Sequence, residues 1–347
     1  MTTTSVKDVA QLAGVSVGTV SNVLNHPERV SARTIERVND AIGRLGFLRN
    51  AAASQLRAGL SRSVGLIVLD ASNPFFADLA RGAEDHAAAH GISVLVGNSG
   101  GDAAREAGYL DLFEEQRVRG VLLSPVGDSS ARLERLRERG IAAVLVDRAT
   151  DGAPFSSVAV DDVAGGRAAA GHLAERGRRR VAFVGGPLHL RQVADRLEGA
   201  RLALGEAGLE GPEVIETPGL SITAGREAGL ALGRRIAAAG GSRSGSGPAR
   251  PDAPDAVFAA NDVLALGLLQ GLMLGGGVRV PEDVALVGYD DIPFAASAMV
   301  PLTSVRQNAA ELGRTAMELL LEEAGHGPGF THRQLVAPPG LVVRASS

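Results

Sequence analysis

The sequence predicts a small all-α helix-turn-helix head joined to a larger α/β body, with the body folded as two doubly wound parallel-sheet lobes and a ligand cleft between them. Three observations carry this prediction. Apolar residues in the first fifty positions repeat at helical spacing and break at a glycine. From Ser63 onward, short apolar runs alternate with helical patterns. Residues 63–347 hold more of this alternation than one sheet takes, so two similar lobes are expected.

Composition narrows the class of protein. At 347 residues the chain has room for two or three domains with sizeable cores. A hydrophobic share of 45% against 21% charged residues excludes a disordered chain. The opening MTTTSVKDVA has neither the basic flank nor the apolar stretch of a signal peptide, and no apolar run nears the ~20 residues that span a bilayer. With no cysteine, the chain has no disulfides, no thiolate metal site and no cysteine nucleophile, which suits a reducing compartment. A cytoplasmic protein without a membrane partner is the expectation. The net charge of −4 is unevenly spread. Residues 1–61 carry seven basic against four acidic side chains, and the remainder 28 against 35. A basic head on an acidic body is the balance of a nucleic-acid module fused to something else.

The head is built in order from Ser5. Ser5 and Asp8 stand at capping-box spacing, and Val6, Val9, Ala10 and Ala13 form an apolar stripe that Gly14 ends. Ser16 caps a second helix that runs to about Asn25, and Val15, Val20 and Val23 close its contact with the first. A third helix starts at Ser31 and buries Ile35, Val38, Ile42 and Leu45. Two short helices joined by a glycine-containing turn make a helix-turn-helix. The outer face of the second helix offers Val17, Gly18, Ser21, Asn22 and Asn25, where lysine, glutamate or alanine would make a better helix. A helix lying in the major groove needs short side chains for close approach and polar groups that read base edges. Gly18 meets the first need, Ser21, Asn22 and Asn25 meet the second, and Val17 suits a thymine methyl.

The stretch VKDVAQLAGVSVGTVSNVLN resembles the helix-turn-helix of the lactose-repressor (LacI/GalR) family of transcriptional regulators. That resemblance implies double-stranded, pseudo-palindromic operator DNA as a partner and a homodimer as the binding unit. It adds Ser5, Ser16, Thr19 and Ser31 to the DNA-contacting positions. NAAASQLRAG, from Asn50, resembles the family's hinge helix, which implies DNA contacts from Asn50, Ala53 and Leu56. Leu56 would wedge into the minor groove at the operator centre. So short a helix orders only on DNA beside its dimer mate. Arg49 stands where the family commonly has proline. The resulting division is 1–49 for the DNA-binding head, 50–62 for the hinge and linker, and 63–347 for the effector-binding and dimerisation core. Within the core, the N-lobe is expected over 63–161 and 292–324, and the C-lobe over 162–291 and 325–347. No heptad tail follows Arg344, so a dimer is expected over a tetramer.

Along the body, buried-strand runs occur at 64–70, 92–99, 121–125, 142–147, 158–162, 181–186, 256–262 and 284–291, each ending in Gly, Asn, Asp, Ser or Pro. Residues 237–255 break the pattern and read as a surface loop. Ligands of such sheets bind beyond the carboxyl ends of the strands. Those ends, with the segments near them, carry Asn73, Phe75 and Phe76, then Asp147 and Arg148, Arg196, Asn261 with Asp262, Asp290 and Gln307. Carboxylates, amides and a guanidinium exchange hydrogen bonds with vicinal hydroxyls, and flat rings cover a sugar's apolar face. The body resembles the effector core of the same family and the related periplasmic sugar-binding proteins, with the ribose-binding members nearest. By that resemblance Phe75 and Phe76 stack on the ring, while Asp147, Arg148, Arg196, Asn261, Asp290 and Gln307 bond its hydroxyls. Leu220 stands where those proteins usually offer a further aromatic.

Two other patterns are set aside. Gly97–Gly101 matches G-x-S-x-G around Ser99, but no later acid and histidine stand in the order a hydrolase needs. His86 and His90 share a helix face without a clear third ligand. No catalytic residue, metal site or cofactor is expected. The sequence thus reads as a transcriptional repressor, not an enzyme, controlled by a pentose-like sugar. The alternative effector is a purine or nucleoside, and a sugar-transport protein or a hydrolase is the more distant reading.

Overall fold

The computed structural model describes residues 4–47, 61–150, 154–240, 253–326 and 329–347. It divides into two compact units, residues 1–60 and 61–347.

The first unit holds helices α1 (Val6–Ala13), α2 (Val17–Asn25) and α3 (Ala32–Leu45). The capping box at its start forms in both directions, with the Ser5 hydroxyl accepting from the Asp8 amide and Asp8 Oδ2 accepting from the Ser5 amide at 2.7 Å. Gly14 ends α1 at φ +62°, a left-handed conformation that a Cβ would strain. Arg37 of α3 donates to the Ala13 and Gly14 carbonyls that this turn leaves open. Val9, Val20 and Val38, one from each helix, are fully buried at the centre, with Ala10, Ala13, Val23 and Ala41 around them.

The second unit contains two six-stranded sheets. Strands β1 (Ser63–Val68), β2 (Ser93–Asn98), β3 (Gly120–Leu123), β4 (Ala142–Val146) and β5 (Ser156–Val160) join a late strand, β11 (Gln334–Ala337), in the order β11-β5-β4-β3-β1-β2. The other sheet is built from β6 (Val181–Gly185), β7 (Glu213–Glu216), β8 (Ala256–Ala259), β9 (Ala285–Asp290), β10 (Thr303–Arg306) and β12 (Gly340–Val342), ordered β12-β10-β9-β8-β6-β7. All pairings are parallel except β10 with β12. The interior strands are buried on both faces, as sheets covered by helices on two sides require.

The chain passes between lobes three times, so the expected lobe boundaries move. Residues 303–306 pair in register with β9 and belong to the second sheet, not to the N-lobe. Residues 334–337 pair with β5 and belong to the first sheet, not to the C-lobe. Between them, helix α12 (Ala309–His326) returns to pack on the N-lobe strands. Strands of four residues carry too little pattern to announce which of two sheets they join. Strand β2 also departs from its expectation as a buried run. It is a sheet edge, and Leu95 and Val96 are 41% and 50% exposed. The expected loop over 237–255 begins later, because residues up to Gly240 continue a helix. Residues 241–252 lie outside the described residues.

Helices α4 (Pro74–Ala89), α7 (Asp162–Glu175), α8 (Arg191–Glu206) and α10 (Asp262–Gly276) start beside the carboxyl ends of strands and so bring their first turns to one region. Helices α7 and α8 touch through bare backbone. A Cβ on Gly166 would lie 2.1 Å from the Arg196 carbonyl oxygen, and one on Gly199 would lie 2.0 Å from that of Val163. This pair of glycines sets how closely Arg196 approaches the start of α7.

Candidate functional site

On the head, α2 presents Val17, Gly18, Asn22 and Asn25 exposed and Ser21 and Thr19 half-buried, while Val20 and Val23 point inward. Asn25 Nδ2 donates to the Ser21 carbonyl at 2.8 Å and the Ser21 hydroxyl at 3.3 Å, which orders one edge of this ridge. Ser5 and Ser16 cap their helices, and Ser31 bonds Thr34 Oγ1 at 2.9 Å. Asn50, Ala53 and Leu56 lie outside the described residues.

In the body, a cleft of about 390 Å³ lies between the carboxyl ends of the two sheets. Asn73, Phe75, Phe76 and Asp147 line it from the N-lobe, and Arg196, Leu220, Asn261 and Asp290 from the C-lobe, with Gln307 from the second crossing. Nine of the eleven residues named from sequence therefore meet there, all but Arg148 and Asp262. Arg148 lines a neighbouring hollow with Asp128 and Arg191. Strand β4 ends at Val146 and the chain turns at Asp147, and Asp147 and Arg148 do not share one pocket.

Local structure explains each placement. Asn73 caps α4 by accepting from the Phe75 amide at 3.0 Å, which leaves its Nδ2 to donate across the cleft to Asp290 Oδ2 at 2.9 Å. That cap turns Phe75 and Phe76 inward, edge to face at 5.0 Å. Asn261 caps α10 by accepting from the Leu264 amide at 2.9 Å. Asp147 and Asp290 adopt φ of +58° and +105°, a strained conformation outside glycine, and it turns their carboxylates off the strand ends. Gln307 Nε2 donates to Asp290 Oδ1 at 2.7 Å. Arg196 Nε donates to Asp162 Oδ1 at 2.8 Å and Nη1 to the Ala260 carbonyl at 2.8 Å, while its guanidinium lies 3.7 Å over the Tyr289 ring.

Sequence reasoning missed three residues of this assembly. Asp162 neutralises Arg196, Tyr289 stacks on it, and Gln192 bridges the lobes by donating to the Asp147 carbonyl at 2.8 Å and to Asp147 Oδ2 at 3.0 Å. Gln192 stands four residues before Arg196 on one helix, so a face count would have found it. Asp262, grouped with Asn261 from sequence, serves the frame instead. It accepts from the Ser304 hydroxyl at 2.7 Å and the Ile292 amide at 3.0 Å. Ser99 is fully buried and donates to the Val68 carbonyl at 3.1 Å, so its hydroxyl faces no solvent.

Burial governs the electrostatics. It pushes the Asp147 carboxyl up to about 8, reinforced by Asp162 and Asp290 and opposed by Arg196 and Gln192. Asp290 is raised to about 6 by burial, against Arg196, Asn73 and Gln307. Burial alone would weaken the charge of Arg196, but Asp162, Tyr289, Asp290 and Asp147 outweigh it and hold the guanidinium charged. Both carboxyls keep protons in the folded chain that the unfolded chain, with values near 3.9, gives up. Their contribution to stability is therefore complete below about pH 4 and is lost as pH rises through 6 and then 8. The unfolding free energy from denaturant titration should fall between pH 5 and pH 8.5, by about 1.4 kcal/mol for each pH unit over which one of these protons is retained. Asp147→Asn should remove most of that fall. An unchanged fall in the variant contradicts the assignment.

Residues 5–50 match the family described as Bacterial regulatory proteins, lacI family, and residues 170–347 match the Periplasmic binding protein-like domain. The ribose operon repressor of Bacillus subtilis (strain 168) is 35% identical over 91% of this chain and 90% of that protein. The chain belongs to the lacI family of bacterial regulatory proteins. Within the lacI family, the transcriptional repressor PurR of Vibrio atlanticus (strain LGP32) is 32% identical over 92% of this chain and 91% of its own. The lac repressor dimer bound to operator and the anti-inducer ONPF superposes with a TM-score of 0.78 at 25% identity, covering 99% of both chains. The family resemblance seen in the head motif thus extends through the whole body. This lacI-family chain is a DNA-binding transcriptional regulator. Among the described residues, no helix is long and apolar enough to cross a membrane.

Proposed function

We propose that this regulator is a cytoplasmic, dimeric repressor, and that a small sugar of pentose size in the interlobe cleft sets its affinity for operator DNA. The observation that carries the reading is the meeting of Asp147, Arg196, Asn261, Asp290 and Gln307 opposite the Phe75–Phe76 pair. Each hydroxyl of a vicinal diol accepts from a guanidinium or amide and donates to a carboxylate, while the rings take the apolar face. The ribose operon repressor among its relatives supports the sugar class. The exposed edge of β2 and the lac repressor's dimer support pairing of two copies. A ligand bound by both lobes favours one lobe arrangement over another, and DNA affinity follows that equilibrium.

A thermal-shift series with D-ribose, other pentoses, hexoses and purine bases tests the ligand. At 100 times its dissociation constant a ligand adds ~2.7 kcal/mol and raises the midpoint by several degrees. A pentose shift is expected, and a shift with purines alone overturns the sugar class. On the head, Asn22→Ala should cost about 1–3 kcal/mol of discrimination between operator and random DNA, with sugar affinity unchanged. Equal losses on both DNAs in a binding titration contradict base reading by Asn22.

A further inference from the structure

The cleft is one-sided in charge. Arg196 is the single guanidinium among its described lining residues, and it already faces Asp162 at 2.8 Å and Asp290 at 3.9 Å. Asp147 and Asp290 line the cavity at 5% and 7% exposure, and Asp70 adds a third carboxylate at the lining. Two buried acceptor atoms, Asp147 Oδ1 and Gln307 Oε1, find no hydrogen-bond partner among the described residues. Their residues sit on opposite lobes' strand ends and both line the cavity. A buried acceptor without a donor is costly, so a bound molecule gains most by bringing hydrogens to these two oxygens. A negative charge brought to the same place meets Asp290 and Asp70 in a medium that screens little, and the nearest guanidinium, Arg196, already faces Asp162 and Asp290.

We infer that the cleft is built for an effector without negative charge, a neutral polyhydroxylated molecule or its amine-bearing analogue, and that it rejects phosphate esters and acids of the same skeleton. This inference rests on the sugar-effector reading above and narrows it. Asp147 Oδ1 takes an O–H or N–H of the ligand, Gln307 Oε1 takes a second, and Arg196 donates to an oxygen between them. A phosphate at either acceptor presents oxygen to oxygen and leaves both unpaired.

Isothermal titration of the full chain at pH 9, above the value of about 8 to which burial raises Asp147, with D-ribose, 5-O-methyl-D-ribose, D-ribose 5-phosphate, hypoxanthine and inosine 5′-monophosphate tests it. Ribose 5-phosphate should bind at least about 100-fold more weakly than ribose, since like-charge contact across a binding surface costs several factors of ten. The methyl ether, which blocks the same hydroxyl without adding charge, should stay within about tenfold of ribose. Asp147→Asn should narrow the gap between ribose and its phosphate. Equal or tighter binding of the phosphate overturns the inference and leaves the sugar reading intact. Rejection of the methyl ether as strong as that of the phosphate makes size the cause and also overturns it. Binding of hypoxanthine but not ribose overturns the sugar reading, and charge selection is then read from hypoxanthine against its nucleotide. Binding of none of the five overturns both.

Discussion

Arg196→Ala is expected to unfold at a denaturant concentration corresponding to about 3–5 kcal/mol less stability, and to lose at least about 100-fold in sugar affinity. Arg196 is 4% exposed, and its guanidinium holds three separate groups: the Asp162 carboxylate, the Ala260 carbonyl and the face of Tyr289. Removing it leaves the Asp162 carboxylate, 9% exposed, without the cation that offsets its burial. Asp162 is already raised above the ordinary carboxylate range, chiefly by burial and against the pull of Arg196. Without Arg196 it rises further, so the variant should recover stability as pH falls toward 4. Arg196→Lys should not restore affinity, because an ammonium cannot bond Asp162 and the Ala260 carbonyl in one plane and still stack on the ring. Equilibrium unfolding at pH 5 and pH 8, with sugar titrations alongside, separates these effects. A variant as stable as the parent at both pH values contradicts the pairing of Arg196 with Asp162.

Gly166→Val should do comparable damage from a residue that touches no ligand. Its Cβ would lie 2.1 Å from the Arg196 carbonyl oxygen, and backbone cannot swing aside as a side chain does. Helices α7 and α8 must separate, which takes Asp162 from Arg196 and shifts Arg196 from the cleft. We expect a loss of at least about 3 kcal/mol, the upper end for overpacking, together with loss of sugar binding. Gly166→Ala should keep the fold at lower stability and still bind sugar more weakly. Gly171 supplies the control on the same helix, since nothing lies within 4 Å of an added Cβ there. Gly171→Ala should gain about 0.5–1 kcal/mol and leave sugar affinity alone. Wild-type affinity in Gly166→Ala contradicts the positioning of Arg196 by this contact.

The head was legible almost residue by residue, because its information is local. A cap at Ser5, a stop at Gly14 and a valine stripe name a helix pair without reference to anything distant. Seven interior strands of the body were legible for the same reason, since a buried strand is a run of apolar residues, and β2 was read by the same pattern although it is a sheet edge. The strands left unread, at 213–216, 303–306, 334–337 and 340–342, are three or four residues long. Three of them are sheet edges, and the fourth, 303–306, lies beside one. What distinguishes them is pairing with residues far along the chain. The cleft followed the same division. Residues at strand ends were found by position, whereas Gln192 and Tyr289 act through partners 45 and 93 residues away, Asp147 and Arg196. Arg148 shows the limit of adjacency, since it follows Asp147 in the chain and lines a different hollow.

A molecule bound in the cleft should control what the head binds. The most direct test enriches duplexes from a random pool on the full chain, then measures affinity for the enriched duplex by fluorescence anisotropy with and without D-ribose. A two-fold symmetric sequence is expected, with at least a tenfold change in its affinity, about 1.4 kcal/mol of coupling, that Arg196→Ala abolishes. An enriched sequence whose affinity ignores ribose, while ribose binds the same protein, contradicts it.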